Sequence, residues 1–254
     1  MWKVCWQLGG TDTPLYEAFR KQGRLQVGLG GEVQPWLCPS QLENVNWEVS
    51  ALTEVARHPG IAGVHLDYVR YPEGGGCYCA HTREAFERTT GRNVANWPRD
   101  VGPGGVDTKA FARFRADEIS RFVGRVHASV RAVNPKLKLS AAVFGKYPQC
   151  VDSVAQDWGR WLREGTVDFV TPMNYTADAN QFAGWLRDQT ALEEDAAGKI
   201  MPGIGVISTE CELAPDQILQ QIAEARRLNL PGYVLFKLDQ VLIDRALPYL
   251  KLAQ

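Results

Sequence analysis

The sequence predicts an α/β fold of the TIM-type (β/α) barrel class, in which residues 1–254 form a single domain with about six βα units. Short apolar runs rich in β-branched residues alternate with segments whose apolar residues recur at helical spacing. The length of 254 residues is close to the roughly 250 that one such barrel needs. Charged and aromatic residues follow several of the apolar runs, which is where a barrel of this class holds its reacting groups.

The strands are predicted from apolar runs that are short and bounded by turn-forming residues. They span residues 3–8, 63–69, 138–144, 168–173, 200–207 and 232–238. Long helical segments separate these runs, and strands joined in that way pair in parallel. We therefore expect one parallel sheet.

The helix before the second strand begins with a predicted capping box, formed by Ser40 and Glu43. Its apolar stripe is expected to consist of Leu42, Val45, Val49, Leu52 and Val55. This helix leads into the strand at residues 63–69.

The next long helix is predicted to begin at Asp107 as N-cap and to end before Pro135. Its buried face is expected to carry Phe111, Phe114, Phe122, Val126 and Val130.

Two further helices are predicted in the second half of the chain. One opens at residue 152 or 153 and buries Trp158, Trp161 and Leu162. The other opens at Pro215 and ends before Pro231.

A long segment rich in glycine and proline, residues 73–106, separates the second strand from the Asp107 helix. A short helix is predicted within it, at about residues 82–89. Long connections in compact domains are often functional. The segment is therefore expected to be a lid over the end of the second strand, the alternative being a mobile surface excursion.

Composition limits the partners of the chain. The formal net charge is −1, the isoelectric point is near 6.4, and no block of like charges occurs, so nucleic acid and anionic membranes are not expected partners. No apolar run is long enough to span a membrane, and the N-terminal residues do not form an export signal. The eight tryptophans and eight tyrosines suit sugar rings as well as a core. No cofactor is predicted, and the oligomeric state stays open.

The six cysteines are even in number, but a domain of this size does not need a disulfide framework. Cys77 and Cys79, followed by His81, offer a metal-ligand pattern whose spacing is tighter than the usual two-residue gap. We predict no metal and favour disulfides or free thiols.

The run at residues 63–72 ends in an unusual way for a buried strand, with Asp67, Tyr68, Arg70 and Tyr71. Burial of a carboxylate and a guanidinium costs desolvation energy, so the pair indicates either a site or a structural ion pair that closes the strand.

Carboxylates that converge with aromatic rings and amides suit the cleavage of glycosidic bonds. Asp67 is the candidate nucleophile or stabiliser, because the opposite charge of Arg70 would keep it ionised. Glu210 and Asp239 follow later strands and are the candidate proton donors, with exposed loop carboxylates as the alternative interpretation. Substrate binding is assigned to polar and aromatic residues near the strand ends: Arg70, Tyr68, Tyr71, Trp36, Glu32, Lys146, Asn174, Tyr175 and Lys237.

Residues 63–72 resemble a barrel strand of the bacterial glycosyl hydrolase-like 10 family, which reads close to Gly-Ile-His-Phe-Asp-Tyr-Ile-Arg-Tyr-Pro. Further motifs match in order along nearly the whole chain, at residues 36–40, 77–79, 140–144, 168–175 and 202–205. The resemblance implies a TIM-type barrel that hydrolyses a bacterial cell-wall or exopolysaccharide glycan, in a periplasmic or extracellular location.

The chain departs from the family pattern in two ways. Asn174 stands where the family often has aspartate, and two βα units that normally precede Trp2 are not found. These departures favour an alternative, a glycan-binding barrel without catalysis. A metal-assisted hydrolase that uses Cys77, Cys79 and His81 is the third hypothesis.

Overall fold

The computed structural model describes residues 2–193 and 195–252. It divides the chain into two compact units, of which unit 1 holds residues 1–139 and 148–157 and unit 2 holds residues 140–147 and 158–254. The prediction of a single domain concerns cooperative folding and stays a prediction.

Unit 1 contains two parallel strands, one antiparallel hairpin and the longest helix of the described chain. Its elements are β1 (Trp2–Val4), α1 (Pro14–Lys21), β2 (Leu25–Val27), β3 (Val33–Leu37), α2 (Leu42–Arg57), β4 (Gly63–Asp67), α3 (Ala80–Thr90), α4 (Thr108–Val133) and α5 (Gln149–Val154). Strands β1 and β4 pair in parallel with Val4 opposite Asp67. The antiparallel hairpin of β2 and β3 was not predicted.

Unit 2 contains a run of parallel strands with helices between them. Strand β5 (Lys138–Phe144) begins in unit 1 and continues in unit 2, which also holds α6 (Trp158–Arg163), β6 (Phe169–Met173), α7 (Ala179–Thr190), β7 (Gly203–Gly205), α8 (Pro215–Arg227), β8 (Val234–Phe236) and α9 (Leu247–Leu252). A short 3₁₀ turn at Ala196–Lys199 precedes β7, and a π-helical turn at Leu242–Ala246 precedes α9. The parallel order is β5, β6, β7, β8.

All of the predicted strands are confirmed as strands, although most are shorter than predicted. The long helix from Asp107 is also confirmed, since Asp107 is the N-cap of α4, Asn134 is its C-cap and the predicted face is buried. The helix expected at residue 152 or 153 begins earlier, at Gln149. It ends at Val154, and its C-cap is Ala155, whose φ is 64°.

The capping box predicted for α2 is wrong. The N-cap is Gln41, and no side chain makes a capping hydrogen bond there. The buried face consists of Asn44, Glu48, Leu52 and Ala56, whereas Leu42 is 66% exposed. The helix therefore turns a partly polar face inward.

The long segment after β4 has an apolar core of its own. That core consists of Ala85, Phe86, Val94, Val101, Phe111 and Phe114, with Tyr78, Trp97 and Ala110 packed against it. The segment therefore packs on α4 through this core, and its role as a lid stays a prediction. None of the described helices has the length and apolar character needed to cross a membrane.

Candidate functional site

At the end of β4, the alternation of buried and exposed side chains shifts by one residue. The fully buried side chains stand first at even and then at odd positions: Val64, Leu66, Val69 and Tyr71. The change falls at Tyr68, whose φ of 51° lies in the left-handed region. In a regular strand, Asp67 and Arg70 would point to opposite faces. Because the left-handed conformation of Tyr68 shifts the alternation, Asp67 and Arg70 are no longer directed to opposite faces.

The guanidinium of Arg70 is held against two aromatic rings. Its Cζ atom lies 4.8 Å from the ring centroid of Tyr68 and 5.3 Å from that of Trp36, and the two rings are 5.7 Å apart. Arg70 Nη1 also donates a hydrogen bond to the carbonyl oxygen of Tyr71 at 3.1 Å. Such cation–π contacts contribute about 0.5 to 2 kcal/mol each. Together with the hydrogen bond to Tyr71, they restrain the position of the guanidinium.

Asp67 is half-buried at the carboxyl end of β4, and its Oδ1 accepts a hydrogen bond from the backbone N–H of Tyr68 at 2.8 Å. A hydrogen bond of this kind favours the charged form of a carboxylate. Burial lowers the pKa of Arg70, while the charges of Tyr68, Asp67 and Glu73 act to raise it. The predicted electrostatic interaction between Asp67 and Arg70 is therefore present, but desolvation is the larger effect on Arg70.

Two residues predicted to bind substrate lie deep in unit 1. Tyr71 has no exposed surface, and its contact with a ligand stays a prediction. Trp36 is only 8% exposed, and its ring contacts the guanidinium of Arg70 rather than solvent. Glu32 is exposed in the turn between β2 and β3, where its backbone carbonyl accepts from Gly28 N at 2.8 Å. Its proposed contact with substrate stays a prediction.

Asn174, at the end of β6 in unit 2, is fully buried and paired with Gln189. Asn174 Nδ2 donates to Gln189 Oε1 at 3.0 Å, and Gln189 Nε2 donates back to Asn174 Oδ1 at 2.8 Å. Gln189 Nε2 also donates to the carbonyl oxygen of Gly145 at 2.8 Å. Asn174 is therefore held within the fold by this amide pair, and its role as a substrate ligand stays a prediction.

Tyr175 is half-buried and stacks on Phe236, with ring centroids 5.3 Å apart and an interplanar angle of 19°. Its ring lies against Gly205, where an added Cβ would come within 2.9 Å of the ring. Lys146 is exposed, with Nζ 5.5 Å from the centroid of Trp185. Tyr175 and Lys146 are thus accessible in unit 2, and their roles in binding stay predictions.

The two predicted proton donors are both engaged in local contacts. Thr209 Oγ1 donates to Glu210 Oε1 at 2.6 Å, and this hydrogen bond lowers the pKa of Glu210. Asp239 Oδ1 accepts from Leu242 N at 3.0 Å and so caps the turn that follows. Lys237 lies exposed directly after β8. A lowered pKa disfavours Glu210 as an acid.

Unit 1 also contains a thiol cluster, which we define as Cys38, Cys77 and Cys79. Their sulfur atoms all lie within 4.8 Å of one another, whereas His81 is exposed and outside the cluster. Burial raises the pKa of Cys38 and Cys77, and hydrogen bonds from these two thiols lower that of Cys79. Cys79 is therefore the member that ionises first.

The place of Cys38 in the thiol cluster and the pairing of Gln189 with Asn174 were not predicted from the sequence. Cys38 lies 41 positions before Cys79, and only the folding of β3 beside the segment after β4 joins them. The signal was the matched motif at residues 36–40, which carries Cys38. No local pattern identifies Gln189, because it lies near the end of a helix that the sequence analysis did not predict.

Comparison with known proteins gives a family match over most of the chain. The model described as glycosyl hydrolase-like 10 matches residues 12–207. No protein of curated function matches the chain.

Several solved structures are similar in fold. The PgaB (BpsB) glycoside hydrolase domain from Bordetella bronchiseptica has a TM-score of 0.69 and 12% identity, over 93% of this chain and 69% of that one. A beta-galactosidase from Bacillus circulans sp. alkalophilus has a TM-score of 0.64 and 15% identity, over 89% and 39% respectively. Bee venom hyaluronidase, in complex with a hyaluronic acid tetramer, has a TM-score of 0.53 and 9% identity, over 98% and 86%.

These likenesses confirm the predicted fold class, an α/β protein of the TIM-barrel type. The described residues hold six strands of the parallel kind, against eight in a complete barrel. The chain spans 39% of the length of the beta-galactosidase.

Proposed function

The chain belongs to the glycosyl hydrolase-like 10 family, and on that premise we propose that it hydrolyses O-glycosidic bonds in a bacterial cell-wall polysaccharide or exopolysaccharide. The observation that carries the proposal is the position of Asp67. Its carboxylate stands at the carboxyl end of a parallel strand, next to a guanidinium that lies against two aromatic rings. Barrels of this class carry their reacting groups at such strand ends.

Asp67 is proposed as the group that stabilises or attacks the anomeric carbon. Glycoside cleavage passes through an oxocarbenium-like transition state, and an ionised carboxylate beside the ring stabilises its positive charge. The amide of Tyr68 keeps Asp67 oriented and favours its charged form.

Arg70 and Tyr68 are proposed to bind the sugar, whereas Trp36 positions Arg70. Tyr68 and Arg70 are both half-buried and so present part of their surface, while Trp36 presents little. A guanidinium held in one plane directs its hydrogen bonds to neighbouring hydroxyl groups. Glu32, and in unit 2 Lys146, Tyr175 and Lys237, remain proposed sugar ligands.

The test is the Asp67→Asn variant of the full chain. Reducing ends released from a β-galactoside, a hyaluronan tetramer and a panel of bacterial exopolysaccharides are measured over time. We expect the activity on any cleaved glycan to fall at least about 100-fold, as for loss of a group that acts in the transition state, with sugar binding retained.

Asp188→Asn is the matched control, because Asp188 is an exposed carboxylate of α7. It is expected to leave the rate unchanged. Wild-type hydrolysis that survives in Asp67→Asn would overturn the assignment of Asp67.

A second function, glycan binding without catalysis, is favoured by one observation. Both predicted proton donors have other engagements, since Glu210 has a lowered pKa and Asp239 caps a turn. Oligosaccharide binding by calorimetry, with no reducing ends released by the wild-type chain on any glycan of the panel, supports this second function.

Secretion is proposed from the family alone. Fractionation of the source cells, with the protein detected by antibody, tests it.

A further inference from the structure

The thiol cluster joins three parts of unit 1 that are distant in sequence. Cys38 follows β3, Cys77 and Cys79 lie in the segment after β4, and Thr82 lies in the first turn of α3. Cys38, Cys77 and Thr82 have no exposed surface, and Cys79 is half-buried. The cluster is therefore enclosed.

The distances in the cluster fit a tetrahedral metal site. Cys38 Sγ lies 3.7 Å from Cys79 Sγ. Two sulfur atoms that each lie about 2.3 Å from one tetrahedral zinc ion are about 3.8 Å apart.

The hydroxyl of Thr82 lies close to two of the three thiols. Its Oγ1 lies 3.3 Å from Cys38 Sγ and 3.4 Å from Cys79 Sγ. An oxygen and a sulfur ligand of the same tetrahedral zinc ion are about 3.6 Å apart, so a shift of a few tenths of an ångström completes the geometry.

We propose that Cys38, Cys77 and Cys79 bind one zinc ion as thiolates, with the hydroxyl of Thr82 in the fourth position. Soft thiolate ligands select zinc over the harder divalent ions. Three enclosed sulfur ligands with one protein oxygen leave no position open for a substrate, so the ion is structural.

A disulfide is the competing outcome for these residues. A disulfide joins two sulfur atoms at about 2.05 Å, and it would use two of the three thiols and leave the third unpaired. A metal ion would instead use all three thiols, whose sulfur atoms lie within 4.8 Å of one another.

The ion would tie the segment after β4 to the end of β3. Cys38 lies two residues after Trp36, the ring that supports Arg70, so the zinc ion would also hold the Trp36 backbone in place. This consequence is separate from the chemistry of Asp67, and the zinc site stands whether or not the chain cleaves glycans.

The first measurement is the zinc content of the wild-type chain. The protein is purified in reducing buffer with zinc in the growth medium, dialysed, and analysed by elemental mass spectrometry. We expect about one zinc per chain. Cobalt in place of zinc is expected to give the thiolate-to-cobalt absorption and the intense visible bands of a tetrahedral site.

Matched variants then locate the ion. Cys79→Ser is expected to weaken zinc binding at least about 100-fold, because a thiolate ligand is lost. Cys211→Ser, at a half-buried thiol outside the cluster, is expected to bind zinc as the wild type does. Thr82→Cys supplies a fourth thiolate and is expected to tighten binding at least about tenfold.

Three results would overturn the proposal. One is a wild-type chain with all thiols reduced, by thiol titration, that holds far less than one zinc and gives no cobalt–thiolate absorption. Another is a Cys38–Cys79 disulfide found by peptide mapping in the freshly purified protein. The third is zinc binding that is equal in Cys79→Ser and the wild type.

Discussion

At the residue scale, the hydrogen-bonded amide side chains of Asn174 and Gln189 make even the substitution of Asn174 by aspartate unfavourable for the stability of the fold. Gln189 Nε2 donates to both Asn174 Oδ1 and the Gly145 carbonyl, and Gln189 Oε1 accepts from Asn174 Nδ2. No orientation of the Gln189 amide satisfies an ionised carboxylate at position 174 without setting two acceptors against each other.

We therefore expect Asn174→Asp to lower the free energy of unfolding by about 2 to 4 kcal/mol, because it buries a charge and breaks a reciprocal hydrogen bond. Urea denaturation followed by circular dichroism measures it. Asn180→Asp, at an exposed position in the first turn of α7, should stay within about 0.5 kcal/mol of the wild type. Equal effects of the two changes would contradict the structural role of Asn174.

His65 adds a pH dependence to the stability of the fold. Burial lowers its pKa to about 4, from about 6.5 in the unfolded chain. As the pH falls, the unfolded state binds the proton first, so this stability is complete above pH 6.5 and is lost towards pH 4.

The free energy of unfolding is expected to fall by about 2 to 3 kcal/mol between pH 7 and pH 4. This follows from the difference between the pKa of His65 in the folded and the unfolded state. His65→Asn should remove this part of the acid sensitivity, whereas His58→Asn, at an exposed position, should keep it. Denaturation series between pH 7 and pH 4 measure the difference. Parallel pH curves for His65→Asn and the wild type would be inconsistent with a buried neutral His65.

At the scale of elements, Gly205 of β7 and Gly184 of α7 should respond in opposite ways to substitution by alanine. A Cβ at Gly205 would lie 2.9 Å from the ring of Tyr175, which stacks on Phe236. A Cβ at Gly184 has no heavy atom within 4 Å apart from its own helix backbone.

Gly205→Ala is expected to cost about 1 to 3 kcal/mol through overpacking, and Gly184→Ala to add about 0.5 to 1 kcal/mol through helix propensity. Thermal denaturation of the two variants and the wild type measures whether Gly205→Ala lowers the stability and Gly184→Ala raises it. A stabilising Gly205→Ala would mean that the Tyr175 ring yields without cost.

The elements that the sequence predicted are those with long and regular patterns. Helix α4 repeats its apolar face over seven turns, so its register could not be misread. The face of α2 was misplaced, because a polar Asn44 and Glu48 point inward where the apolar stripe was expected. Packing against neighbours, which no local pattern records, decides such a face.

The hairpin and the burial of two candidate site residues were not predicted, for similar reasons. Strand β3 contains Pro35, which usually argues against a strand and here stands in a two-stranded ribbon. The identity of Asp67 and Arg70 as neighbours was predictable from the motif, but the depth of Trp36 and Tyr71 depends on the fold around them.

At the scale of the whole molecule, the chain passes between the two units three times, after residues 139, 147 and 157. Strand β5 belongs to both, with Lys138 and Leu139 in unit 1 and the following residues in unit 2. Each unit therefore consists of two separate stretches of the chain.

We therefore expect one cooperative unfolding transition, as the prediction of a single domain requires. Tryptophan fluorescence and far-ultraviolet circular dichroism should give the same urea midpoint. Two separate midpoints would mean that the units unfold independently.

The left-handed conformation of Tyr68 has a consequence for anyone who wishes to graft this motif into another barrel. The ten residues from Gly63 to Pro72 would not carry the arrangement with them if the host strand continued in regular form. Asp67 would then point into the host barrel and Arg70 away from it, or the reverse. A successful graft must reproduce the left-handed backbone conformation of Tyr68 as well as the amino-acid sequence of the motif.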